Sequence, residues 1–173
     1  MGNIDALLNS TGLRRESAVR SQNGTKGIYL HAGQLHVATE PTEITTVLGS
    51  CVAVCVWDAV AQVGGMCHFM LPDAIGGKAD SARFAKYALP ELVDRIVAKG
   101  GLRHRIQARV YGGGTMLNTA TSENDLGSKN VKAATEWLES ARVPVIEQEV
   151  RGNHGRRVVF RTNDGSATVR RVG

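Results

Sequence analysis

The chain has no long apolar run. No stretch approaches the roughly 20 residues needed to cross a bilayer, so a transmembrane helix is excluded. The start, MGNIDALLNSTGLRR, lacks a basic segment followed by an apolar one, so a secretory signal is not expected. Aromatic residues make up only 5% of the chain. That leaves the core to small aliphatic side chains and removes the stacking platforms on which single-stranded nucleic acid is bound. Helix-turn-helix, zinc-finger and RNP patterns are missing, and no nucleic-acid partner is expected. Cysteines number three, which is odd and too few for a disulfide framework. Free thiols fit a reducing compartment, and a cytoplasmic protein without membrane insertion is the expectation.

What is present is a chain of 173 residues, enough for one domain with a real core, with 20 glycines to make tight turns. The formal net charge is +5, and the excess gathers at the C-terminal end in Arg142, Arg151, Arg156, Arg157, Arg161, Arg170 and Arg171. Such a cluster either steers an acidic partner or is a solvated strand surface. Residues 1–25 are polar, apart from Ile4, Leu7 and Leu8, and read as an extension outside the core. A single domain is expected over 26–173.

Within that domain GIYLHAGQLHVA reads as two short strands around Ala32-Gly33-Gln34. Further strands are expected at Glu43 to Leu48, at the valine-rich run Val52 to Trp57, and at Val63 to Leu71. A helix opens at Ser81 and stops at Gly100-Gly101, with Pro90 expected to kink it or start a second one. A strand from Ile106 to Tyr111 runs into Gly112-Gly113-Gly114-Thr115. A second helix, capped by Ser128, runs to about Arg142. Strands at Val145 to Val150, Arg157 to Thr162 and Ala167 to Val172 close the chain. Strands interrupted by two helices, without strict alternation, define an α+β fold.

The chemistry concentrates in TTVLGSCVAVCVWDAVAQVGGMCHFMLP, from Thr45 to Pro72. Cys51 ends a Gly-Ser-Cys turn, and His68 follows 17 residues later. Two antiparallel strands joined by a short turn would set thiol and imidazole side by side, and an imidazole is the usual activator of a thiol near neutral pH. Backbone N–H groups around Gly49, Ser50 and Cys51 are candidate oxyanion donors. Thr45 and Thr46 are both placed to hold the imidazole in its productive tautomer. Cys55 and Cys67 read as core. A zinc site from the three cysteines and His68 fails on spacing, since no Cys-x2-Cys knuckle exists and residues 67 and 68 face opposite ways on a strand. The Gly112-Gly114 run lacks the Lys-Ser/Thr ending of a P-loop. It reads as a sharp turn, with Gly113 and Gly114 at the floor or rim of a substrate groove.

These motifs taken together, TTVLGSCVAVCVWD, GGMCHFMLP, GGGTM, LGSKNV and the Gly152-Asn153 pair, resemble in order and spacing the chemoreceptor glutamine deamidases of the CheD family. The resemblance runs from about Gly27 to Gly173. It implies Cys51 as nucleophile, His68 as general base and Thr45 as the residue that supports the histidine. It also implies a sandwich of β-sheets with helices outside, layered in an α/β/β/α-like way and similar to the catalytic domain of deamidating toxins. The implied reaction is hydrolysis of glutamine side-chain amides in the cytoplasmic domains of methyl-accepting chemotaxis receptors, as part of adaptation, with no metal or organic cofactor. A CheC-type phosphatase is an implied partner. The N-terminal extension and Cys67 depart from the family pattern. A non-catalytic adaptor that binds phosphatase or receptor is the alternative, followed by an acyl transferase that delivers to an amine.

Overall fold

Two five-stranded sheets lie face to face in the computed structural model, which describes residues 17–21, 24–116 and 124–173. The first sheet has the order β1 (Ser17–Arg20), β2 (Lys26–Tyr29), β4 (Thr42–Leu48), β9 (Gly155–Arg161), β10 (Ala167–Val172). The second runs β3 (Gln34–Ala38), β6 (Val63–Phe69), β5 (Val52–Asp58), β7 (Gln107–Gly112), β8 (Val145–Val150). Pairing is antiparallel except for β2 with β4 and β7 with β8. Helices α1 (Ala85–Ala98) and α2 (Leu126–Ser140) both pack on the second sheet.

Among the described residues both helices pack on one face of the second sheet, whose other face meets the first sheet. The middle sheet is therefore buried on both faces, which accounts for its valine-rich strand β5. Val52, Val54 and Val56 join Cys67, Phe69, Leu89, Leu92 and Ile96 in the core beneath the helices. Ala53 and Cys55 face the other way and join Ile44, Leu48, Met66, Tyr111, Val158 and Phe160 between the sheets. The two-residue period of a strand makes this division, and it separates Cys67 from His68.

Two expectations are corrected, and for Pro90 the start of a second helix is ruled out. Ser17–Arg20, expected in a loose extension, pairs as an antiparallel strand with β2; residues 1–16 lie outside the described residues. Pro90 lies inside α1 without ending it. The carbonyl it leaves unpaired belongs to Lys86, on the exposed side of the helix where water can reach it. The second helix is capped by Asp125, whose carboxylate accepts the N–H of Ser128, so Ser128 is a residue of the first turn.

The turn between β5 and β6 is tied down by Asp58, which is fully buried. Burial opposes its charge, yet its carboxyl is held below the usual carboxylate range. The Ala61 and Leu102 N–H groups and the Arg105 guanidinium supply the compensation, and the Val60 N–H also donates to it. This knot fixes the hairpin on which the nucleophile and base candidates sit.

Candidate active site

The β5–β6 register pairs Ala53 with His68. Cys51 is two residues before Ala53, so it shares the inter-sheet face and stands diagonally from the histidine. Diagonal neighbours in such a ladder have Cα atoms about 7–8 Å apart. Cys51 packs at the edge of the inter-sheet core and is half-buried, while His68 is buried. Both residues singled out in the sequence thus lie on the inter-sheet side of the second sheet.

The hydroxyl against the imidazole belongs to Thr46. Its Oγ1 donates to the Leu30 carbonyl at 2.7 Å and lies 2.8 Å from Nδ1 of His68. A hydroxyl has one proton. With that proton given to Leu30, Thr46 accepts the Nδ1–H of His68, which leaves the lone pair on Nε2. Among the described residues that buried Nε2 has no hydrogen-bond partner. Thr45, the residue favoured by resemblance, is excluded from this role by parity. Ile44, Thr46 and Leu48 point between the sheets, whereas Thr45 lines a groove on the opposite face of the first sheet.

Burial favours the neutral form of both groups. Burial pushes the His68 pKa down to about 4, the Leu30 carbonyl partly offsets this, and His31 adds to it. Burial also pushes the Cys51 thiol up, against the pull of its own N–H. No preformed thiolate–imidazolium pair is expected, and proton transfer has to accompany attack on a bound substrate.

The loop that carries the thiol is held from one side. Gly113 N–H donates to the Cys51 carbonyl at 2.8 Å and Gly114 N–H to the Gly49 carbonyl at 2.9 Å. The Nδ2 group of Asn130, fully buried in α2, donates to the Ser50 carbonyl at 3.0 Å and the Met70 carbonyl at 2.9 Å. Every peptide bond of the described chain is trans, so each N–H points away from the preceding carbonyl. The N–H groups of Ser50 and Cys51 therefore face away from Gly114 and Asn130. The N–H groups of Gly113 and Gly114 are spent on this loop.

The glycines are required there. Gly112 has φ +104°, and a Cβ on it would stand 2.3 Å from the Cys51 carbonyl oxygen. Gly113 has φ +65°, and its Cβ would meet Val131 Cγ2 at 2.3 Å. Their far side is locked by Asp125, whose carboxylate takes the Arg151 guanidinium at 3.0 Å and the Thr115 hydroxyl at 2.9 Å. Arg151 and the Ser128 N–H hold the Asp125 carboxyl well below the usual range.

Sequence reasoning did not separate Thr46 from Thr45 as the partner of His68, and it missed Asn130 and the Asp125–Arg151 pair. The only available signal was that Asn130 lies in the LGSKNV motif at the start of a helix. What the asparagine touches is 80 residues away in the chain.

A sequence profile described as CheD chemotactic sensory transduction matches residues 70–171. The chain is 42% identical over 172 residues to the probable chemoreceptor glutamine deamidase CheD 1 of Anaeromyxobacter dehalogenans, covering 96% of this chain and all of that one. It is 41% identical over 152 residues to a probable chemoreceptor glutamine deamidase CheD of Cupriavidus pinatubonensis, covering 85% and 70% of the two chains. A Stenotrophomonas maltophilia protein of the same description is 34% identical over 166 residues, covering 94% and 83%. Among the described residues the fold is mixed α+β, two five-stranded sheets with two helices. The chain belongs to the CheD family of chemotaxis proteins.

Proposed function

We propose that this protein hydrolyses the side-chain amide of glutamines in chemoreceptor cytoplasmic domains, through a thioester on Cys51. The observation that carries the reading is the placement of Cys51 and His68 on one inter-sheet face, with Thr46 accepting the Nδ1–H of the histidine. The Nε2 lone pair takes the thiol proton as sulfur attacks the glutamine Cδ. The N–H groups of Ser50 and Cys51 receive the negative charge that develops on the amide oxygen. An imidazolium with so low a pKa is a strong acid, and it hands its proton to the leaving nitrogen. The C–N bond breaks, ammonia departs and the thioester remains. Water then attacks with His68 as base, the C–S bond breaks, and the thiol regains its proton as glutamate is released.

Substrates of this kind place the protein in the cytoplasm and in adaptation of the receptor signal. A CheC-type phosphatase that presents a receptor-like segment would compete for the same site. Mass spectrometry of a receptor cytoplasmic domain incubated with the protein tests the reading, with Cys51→Ala as control. Conversion of glutamine to glutamate by the native protein and not by the variant supports it. No conversion, or equal conversion by both, ends it. An adaptor would keep receptor binding in the variant and show no conversion in either.

A further inference from the structure

The outer face of the first sheet carries a groove of about 440 Å³ that the reaction does not use. Its floor is Glu43 and Thr45 of β4, Val159 of β9 and Thr168 of β10. Val19, Arg20 and Ser21 form one wall, because β1 passes across Gly27 so closely that a Cβ there would stand 2.1 Å from the Val19 carbonyl oxygen. Arg157 and Arg170 form the other wall and are direct cross-strand partners.

The structure divides the arginines into two sets. Arg151 is held by Asp125, Arg156 by Glu149, and Arg161 by Glu43, the one carboxylate of the groove. Among the described residues Arg20, Arg157 and Arg170 have no carboxylate within ion-pair distance, and all three are exposed. Like charges directly opposite each other in a ladder disfavour the pairing, and an anion lying between them would relieve this.

We propose that this groove docks an acidic stretch of the substrate protein near the glutamine being hydrolysed. The proposal rests on the deamidase reading and adds how the substrate is held. Three unpaired guanidinium groups around one neutralised carboxylate match an acidic chain in charge. The strand that floors the groove at Thr45 leads to Cys51 six residues on, within about 20 Å at strand rise. Each turnover converts a neutral amide into a carboxylate, so a substrate with several target glutamines grows more acidic as it is processed. The groove offers no aromatic side chain for base stacking, which favours an acidic polypeptide over nucleic acid.

The test uses two synthetic peptides with the same central glutamine, one flanked by glutamates and one by serines, and the full chain with and without R157E/R170E. The native protein is expected to show about tenfold lower KM for the acidic peptide, an advantage erased by moderate salt. R157E/R170E should lose that advantage while keeping kcat on the serine peptide. Equal KM values for the two peptides, or the same loss on both in the variant, would overturn the proposal. Fluorescence anisotropy of both labelled peptides with Cys51→Ala protein reads docking without turnover. Preference for the acidic peptide there supports docking even if no hydrolysis occurs. No preference, or tighter binding of a single-stranded oligonucleotide, refutes it.

Discussion

Thr46 and His68 meet through a hydroxyl whose single proton is already given to the Leu30 carbonyl. The threonine can only accept, so the imidazole holds its proton on Nδ1 and offers Nε2. Thr46→Val should lower kcat roughly tenfold to a hundredfold with little change in KM, and Thr46→Ser should restore most of it. Thr45→Val should stay within about twofold of the native protein. Steady-state kinetics on one receptor domain separates the two; a larger loss at Thr45 would contradict the assignment.

Neutral reactants set the pH behaviour. With the His68 pKa near 4, the base is available from weakly acidic pH upward. We expect kcat/KM to rise through about pH 4 and to run level across neutrality. Alkylation of Cys51 by iodoacetamide should be slow at pH 7 and accelerate only above the ordinary thiol range, about 8.5. A fast, pH-independent alkylation at neutrality would show a preformed thiolate.

The same histidine bears on stability. Its folded pKa of about 4 lies below the ordinary 6.5, so between these values the unfolded chain binds the proton and the folded chain does not. Stability is unaffected above pH 6.5, falls as pH drops through the window, and levels off below 4. The loss amounts to roughly 3 kcal/mol. Urea unfolding of the native protein and His68→Gln across this range should differ in slope, the variant being flatter.

Asn130 spends both Nδ2 protons on the Cys51 loop and the end of β6, and among the described residues its buried Oδ1 has no partner. An unpaired buried oxygen is a cost that the two clamped carbonyls offset. Asn130→Ala should cost about 2 kcal/mol and lower kcat by about a hundredfold, because the thiol is no longer held in place. Asn130→Asp should be no better, since a carboxylate has no proton for Ser50 or Met70. Thermal unfolding together with kcat distinguishes this from a purely structural role, in which stability would fall and kcat of the folded enzyme would not.

Gly112→Ala places a methyl group against the Cys51 carbonyl at a backbone angle that alanine resists. We expect a loss of about 1–3 kcal/mol in denaturant unfolding and a marked fall in kcat. An alanine variant of native stability and activity would show that the loop has room to move.

The strand pattern was legible because period-two alternation and an unbroken valine run are local signals. β5 and β6 lie within a residue or two of their expected ends. The β5–β6 hairpin, with Ala53 opposite His68, was legible for the same reason: two strands joined by a short turn pair with each other. Thr46 was not distinguished from Thr45, since both are β-branched and one residue apart, and only the packing of the first sheet on the second decides which one faces inward. The cap at Asp125 was misplaced because Ser128 is as good a cap by type, and the choice depends on Arg151 and Thr115 arriving from elsewhere.

By itself the sequence determined the α+β class, the β5–β6 hairpin that carries His68, and the surplus of arginine near the C-terminus. These follow from residue type and short-range spacing. Tertiary structure alone decided the tautomer of His68, the clamp by Asn130, and which arginines remain unpaired. Each of these depends on groups brought together from separate strands and helices, and local sequence carries no record of such a meeting.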